Sequence, residues 1–222
     1  MKLSIIVPVY KEEKTCKQVI EDLKKLKIDK EIIVVEDGST DNSNNILKKI
    51  KGITLITKKN GGKGSAIKLG VKYATGDIIV PFDSDGEYIA EDLYQGYGMA
   101  CMFNVVYGSR RLEKTNRQYS GLSFYIGGMI LTIVTNILYF AVISDEPTCL
   151  KFFRRDLFNK LNIQADDFSW EPEATAKVLK CGEHIMEYPI KYNPRTLSEG
   201  KKIRWEDGFI ALWTLLKYRF VK

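Results

Sequence analysis

Five short apolar runs recur through the first half of the chain, and a segment with apolar residues at helical spacing follows each of the first four. Leu3–Pro8, Glu31–Val35, Ile53–Thr57, Asp77–Phe82 and Val105–Tyr107 read as strands. Between them Thr15–Leu26, a stretch from Thr40 or Asp41 to about Ile50, Gly64–Tyr73 and Ala90–Met99 read as helices. In Thr15–Leu26, for example, Val19, Ile20, Leu23 and Leu26 share one helical face. Strands that are near-continuously apolar and linked by helices predict an α/β fold, a mostly parallel Rossmann-like sheet flanked by helices. Ligands of such sheets bind outside the carboxyl ends of the strands. The residues just after each run are therefore where chemistry is to be sought.

After Gly108 the alternation loosens. A basic loop runs from Arg110 to Arg117, Cys149–Phe153 and His184–Tyr192 read as further strands, and Glu171–Lys180 as a helix. Asn193–Arg204 is polar and basic without apolar periodicity, which predicts a mobile loop with Gly200 as its pivot. Trp205–Phe220 reads as an amphipathic helix. With 222 residues the chain has the length of one α/β domain with a full core.

Four widely spaced cysteines, no CxxC and a lone His184 argue against a zinc site and suggest a reducing compartment. The chain opens on a strand pattern, so no secretory leader is expected. The net charge of +6 is concentrated late: from Arg195 to Lys222 there are seven basic and three acidic residues. No nucleic-acid-binding motif accompanies it, so the basic surface points to phosphate-bearing substrates or an anionic membrane rather than nucleic acid. Phe124–Ile143 carries no charge and has the length of a bilayer span. Asn136, two glycines and several hydroxyls interrupt it, which favours a buried or interfacial helix over a spanning one.

The strand ends carry an unusual inventory. After the first comes Pro8-Val9-Tyr10-Lys11-Glu12, with a ring on which a nucleobase can stack and an acid that accepts from base or ribose. After the second, Glu36 and Asp37 precede Gly38. After the third, Lys58-Lys59-Asn60-Gly61-Gly62-Lys63-Gly64-Ser65 lacks the Walker spacing, and it either cradles a phosphate or makes a close turn. The fourth delivers Asp83-Ser84-Asp85. Such a pair also opens loops and caps helices. At a strand end beside those neighbours, its hard oxygens suit Mg²⁺ or Mn²⁺ shared with substrate phosphates. The fifth ends in Gly108-Ser109-Arg110, a guanidinium for a phosphate. Together they fit a metal-bound nucleotide diphosphate.

These pieces, IIVPVYKEE, VVEDGSTDNS, NGGKGSAIKLG, ATGDIIVPFDSDGEY and YGSR, resemble the inverting family-2 glycosyltransferases of the GT-A fold, in family order through about residue 111. Gly108-Ser109-Arg110, the apolar segment, the run from Asp145 to Arg155 and Glu171-Pro172-Glu173 are similar to dolichyl- and polyprenyl-phosphate mannose or glucose synthases. Lys11 stands where that family usually has Asn, and Gly86-Glu87-Tyr88-Ile89 replaces a proline-containing stretch. The resemblance implies one domain over 1–222, with a nucleotide-sugar-binding half (1–111), an acceptor-binding half (112–204) and a C-terminal amphipathic helix (205–222).

It further implies a hexosyltransferase using a GDP-mannose or UDP-glucose type of donor. Pro8, Tyr10, Glu12, Glu36, Asp37, Lys63, Gly64, Asp83, Ser84 and Asp85 would bind that donor, with Asp83, Asp85 and Glu87 on the metal. A hydroxyl acceptor would need a general base, Glu173 or Glu171. A phosphate acceptor would need none and would lie against Arg110, Arg117, Arg195 or Lys201. The acceptor is expected to be a lipid phosphate, with a soluble or protein-linked glycan as the alternative. A silent nucleotide- or membrane-binding scaffold is the reading of another class, and it has no chemical need for the Asp83/Asp85 pair. Peripheral attachment to the cytoplasmic face of a membrane completes the expectation.

Overall fold

The computed structural model describes residues 1–116, 121–196, 200, 202 and 205–221. Its strands are β1 (Leu3–Val9), β2 (Lys30–Asp37), β3 (Thr54–Lys58), β4 (Ile78–Pro81), β5 (Val105–Ser109), β6 (Lys151–Arg154) and β7 (Ile185–Pro189). Its helices are α1 (Cys16–Lys25), α2 (Ser43–Leu47), α3 (Lys63–Tyr73), α4 (Asp92–Ala100), α5 (Leu122–Tyr139), α6 (Arg155–Leu161), α7 (Trp170–Lys180) and α8 (Trp205–Phe220). The strands form one sheet in the order β3-β2-β1-β4-β6-β5-β7. All pairings are parallel except those of β6, which runs antiparallel between β4 and β5. The expected parallel core is therefore present, with one reversed strand inside it.

Both faces of the sheet are covered, which is why its strands read as unbroken apolar runs. Ile5, Val7, Val34 and Val80 face one layer with α1 and α4 residues Ile20, Leu23 and Leu93. Ile6, Ile33, Val35 and Ile79 face the other, with Ile67 of α3, Phe158 of α6 and Trp170 of α7. Successive strand residues point to opposite faces, so each run fills two cores at once.

Helix α6 has no counterpart in the sequence expectation, and two further elements differ from it. The helix after β2 is only Ser43–Leu47. The residues expected to start it tie the β1 loop instead: Asp41 Oδ2 accepts from the Glu13 amide at 3.2 Å, and Ser43 Oγ from the Glu12 amide at 2.9 Å. The apolar segment is helical over Leu122–Tyr139 and ends at Phe140, which sits at φ 55°. It is long and apolar enough to cross a membrane. One face, with Leu131, Thr132 and Thr135, packs inward, and Tyr139 donates to the Leu215 carbonyl of α8 at 2.6 Å. The opposite stripe, Leu122, Ile126, Ile130, Ile133, Ile137 and Phe140, is exposed, as are Phe209, Ile210, Trp213 and Phe220 of the neighbouring α8.

Candidate active site

A cavity of about 550 Å³ opens at the carboxyl ends of β1, β2 and β4. It brings together Pro8, Tyr10, Glu12, Asp37, Lys63, Asp83, Ser84, Asp85, Glu87, Arg110, Glu171 and Arg195. Glu36, Gly64 and Glu173 are not on its wall. Arg117 and Lys201 lie outside the described residues.

The acid turn follows β4 directly. Ser84 pins it to the end of β1, donating to the Pro8 carbonyl at 2.9 Å, while its own carbonyl accepts from Thr15 Oγ1 at 2.8 Å. The flanking carboxylates meet cations from distant segments. Asp83 pairs with Lys63 at 2.9 Å and Asp85 with Arg195 at 3.1 Å. Burial pushes the Asp85 carboxyl up to about 7, and the charges of Asp83 and Glu87 act in the same direction. The Glu87 amide and Arg195 only partly offset that shift.

Glu87 is not placed as a third metal ligand. Its carboxylate accepts from the Tyr192 hydroxyl and from the Arg195 amide, both at 2.8 Å. It braces the chain after β7, where the Asn193 amide also donates to the Glu87 carbonyl at 2.9 Å. The start of the expected mobile loop, through Arg195, is thus docked rather than loose. Among the described residues no group of three or more His, Cys, Asp or Glu is arranged to hold a metal. Asp83 and Asp85 remain, and two hard carboxylates beside an open cavity fit Mg²⁺ or Mn²⁺, which keep water and take substrate phosphate oxygens as further ligands.

Asp37 has both oxygens engaged. Oδ1 accepts from Lys58 Nζ at 2.6 Å and the Gly61 amide at 3.0 Å, and Oδ2 from the Gly62 amide at 2.9 Å. It shapes the glycine loop and lines the cavity beside Asn60 and Gly62. Glu36 is 1% exposed and accepts from the Ser39 amide, so it holds the turn instead of a nucleoside. Gly64 is needed for close packing, because a Cβ there would lie 2.5 Å from the Ala165 carbonyl oxygen. Gly62 is at φ 95° against the same 165–167 segment, which no L side chain would fit without strain.

The two candidate bases separate. Glu171 faces the cavity with Oε1 2.9 Å from Lys63 Nζ. Burial raises its pKa, against the pull of Lys63 and with the push of Asp83. Glu173 is fully buried away from the cavity and accepts from the Gln164 and Ala165 amides at 2.8 and 2.7 Å and from Lys177. It holds a loop and has no access to substrate.

The cations are equally committed. Arg110 lines the cavity, but its Nε and Nη2 make a fork to Asp145, each at 2.7 Å, so it is not a free phosphate ligand. Arg195 grips Glu12 with Nη1 and Nη2 at 2.9 and 3.0 Å. Lys202, adjacent to the expected Lys201, pairs with Glu12 at 2.7 Å and also donates to the Tyr10 carbonyl. Lys11 and Lys202 lie over the Tyr10 ring at 5.3 and 5.6 Å from its centroid. Asn60, Phe168, Tyr192 and Lys202 line the cavity without having been singled out. Asp145 also escaped notice, although it opens the Asp145–Arg155 run; a fully buried acid there signals a fixed cation.

The chain matches the family model for Glycosyl transferase family 2 over residues 4–161, and it belongs to that family. It is 29% identical over 230 residues to an uncharacterised protein of Methanocaldococcus jannaschii, spanning 97% of this chain and 91% of that one. It is 28% identical over 244 residues to a UDP-N-acetylglucosamine–dolichyl-phosphate N-acetylglucosaminyltransferase of Methanococcus voltae, spanning 98% and 96%. The fold is similar to glucosyl-3-phosphoglycerate synthase of Mycobacterium tuberculosis, in a complex with Mn²⁺, UDP and phosphoglyceric acid, with a TM-score of 0.72. That match is 18% identical and covers 100% of this chain and 79% of the other. The protein is accordingly a glycosyltransferase of the GT-A fold, with relatives among the polyprenyl-phosphate sugar transferases.

Proposed function

We propose that this enzyme moves a hexose from a nucleoside-diphosphate sugar to a polyprenyl or dolichyl phosphate, with inversion. The observation that carries the lipid acceptor is the nearness of an apolar surface to a charged cavity. Gly128 of α5 sits where a Cβ would touch Pro147 Cγ at 3.3 Å, and Pro147 is part of the cavity wall. The inward face of α5 thus meets the cavity wall, with the exposed apolar stripe on the far side of the same helix. The Methanococcus voltae relative is named for a dolichyl-phosphate acceptor, which supports the same reading.

In this reading Tyr10 receives the nucleoside, beside a Glu12 held by Arg195 and Lys202. Asp83 and Asp85 would hold Mg²⁺ or Mn²⁺, which supplies charge stabilisation to the leaving diphosphate. Lys63 and Arg195 add positive charge on the same side. A lipid phosphate is anionic near neutral pH and attacks without a strong base. Glu171 would then keep Lys63 in place; with a hydroxyl acceptor it would take the proton itself.

The test is a panel of UDP- and GDP-sugars offered with polyprenyl phosphate or soluble glycans, with and without Mn²⁺. Transfer to the lipid is expected from one donor class. Transfer to soluble glycan alone would overturn the lipid acceptor.

Peripheral attachment to a membrane follows from the same surface. The stripe of α5 and Phe209, Trp213 and Phe220 of α8 would enter the interface, with exposed Lys217 and Arg219 near anionic headgroups. Each such cation near an anionic leaflet contributes about 1 kcal/mol and is screened by salt. Flotation with anionic vesicles should fall as salt rises. Ile133→Glu with Trp213→Glu should weaken it at least about tenfold, since each buried apolar side chain contributes about 1.5–3 kcal/mol. Salt-independent flotation that survives both substitutions would remove this surface from the attachment.

A further inference from the structure

The acid pair and its cations balance in a way that bears on how ligands enter, granted the reading of the cavity as a site for a metal-bound nucleotide diphosphate. Asp83 is held by Lys63 from the start of α3, at 2.9 Å. Asp85 is held by Arg195 from the chain after β7, at 3.1 Å. Two protein cations thus occupy the two carboxylates that a divalent cation would need, each shared with a second acid, Glu171 or Glu12. Arg195 does not depend on Asp85, because its fork to Glu12 remains if that bond is given up. Its Nε is buried and finds no acceptor among the described residues. The backbone around Arg195 is pinned by Glu87, so the guanidinium can exchange partners without the chain moving away.

We infer that Lys63 and Arg195 are internal stand-ins for the divalent cation, holding Asp83 and Asp85 until metal and a nucleotide diphosphate arrive together. Metal alone must break two partly buried ion pairs, leaving Lys63 with Glu171 and Arg195 with Glu12 only. Nucleotide diphosphate alone must draw the same cations off carboxylates that then repel each other and the phosphates. When both enter, the divalent charge replaces two single charges on the carboxylates, and the released ammonium and guanidinium meet phosphate oxygens. Binding is consequently cooperative, and the coupling is reciprocal.

Mn²⁺ binding to the full chain, read from the electron paramagnetic resonance signal of free Mn²⁺, tests this without turnover. The probes are Mn²⁺ alone and Mn²⁺ with saturating UDP or GDP. In the wild type, one of the nucleotides should tighten Mn²⁺ at least about tenfold, within the usual range of coupling between sites. Arg195→Gln should tighten Mn²⁺ about threefold or more without nucleotide and shrink the nucleotide-driven gain, the direction expected for loss of a competing cation. Thermal melts establish that Arg195→Gln is folded. Equal or weaker Mn²⁺ binding in folded Arg195→Gln without nucleotide would overturn the inference. So would independent binding of Mn²⁺ and nucleotide in the wild type, which needs no variant. Wild-type protein that retains no Mn²⁺ even with UDP or GDP overturns the donor-site reading and this inference with it.

Discussion

Asp85→Asn should reduce sugar transfer at least about a hundredfold, the scale of losing one preorganised electrostatic contact at a developing charge. Asp85 lines the cavity one residue past the Ser84 anchor, so the substitution leaves the turn in place. Asparagine keeps the shape and loses the charge that a divalent cation needs. Stability should hold or rise, because burial, Asp83 and Glu87 all disfavour the charged form of Asp85. A coupled assay with the competent donor, together with a thermal melt, separates the two effects. An active variant with an unchanged melt would remove Asp85 from the metal site. An inactive variant with a collapsed melt would make it a structural residue instead.

The second large effect lies beneath the cavity and concerns folding. Lys151 is fully buried, with Nζ donating to the Glu146 carbonyl at 2.8 Å and to Thr175 Oγ1 at 2.7 Å, and lying over the Tyr107 ring. Its ammonium is 3.6 Å from Glu146 Oε1, and neither Glu146 oxygen has a hydrogen-bond partner among the described residues. Burial alone would lower the Lys151 pKa; Tyr107 and Glu146 outweigh it and keep the side chain charged. Lys151→Met should cost about 3–5 kcal/mol, because it leaves Glu146 buried and uncompensated. For a chain of this size that is a fall in melting temperature of roughly 6–20 °C. Lys151→Met with Glu146→Gln should recover much of the loss. Urea unfolding of both variants measures it, and a single variant as stable as the double would show that the pair is not coupled.

The same contrast, between charges that local sequence can place and charges that only distant contacts can, runs through the rest of the molecule. Strand and helix alternation was legible because apolar periodicity is a local property, and the sheet needs both faces of β1, β2 and β4 covered. The acid turn was legible for a related reason. In a parallel sheet, residues that end strands gather at one edge whatever the details of packing. Helical geometry sets Glu171 and Glu173 about 200° apart, so one had to turn from the cavity. Which one did so was decided by Lys63, more than a hundred positions away in the chain, and by the amides of Gln164 and Ala165. Arg110 reads as a free phosphate ligand until the chain folds and brings Asp145 against it. Arg195 likewise reads as part of a loose basic loop, because its partners Glu12 and Asp85 lie 183 and 110 positions away in the chain. The sequence by itself determined which elements form and where along the chain the reactive side chains sit, since both follow from short-range periodicity and turn chemistry. Only the tertiary structure decided which carboxylate meets which cation, because an ion pair depends on a few ångströms of separation that no local pattern encodes.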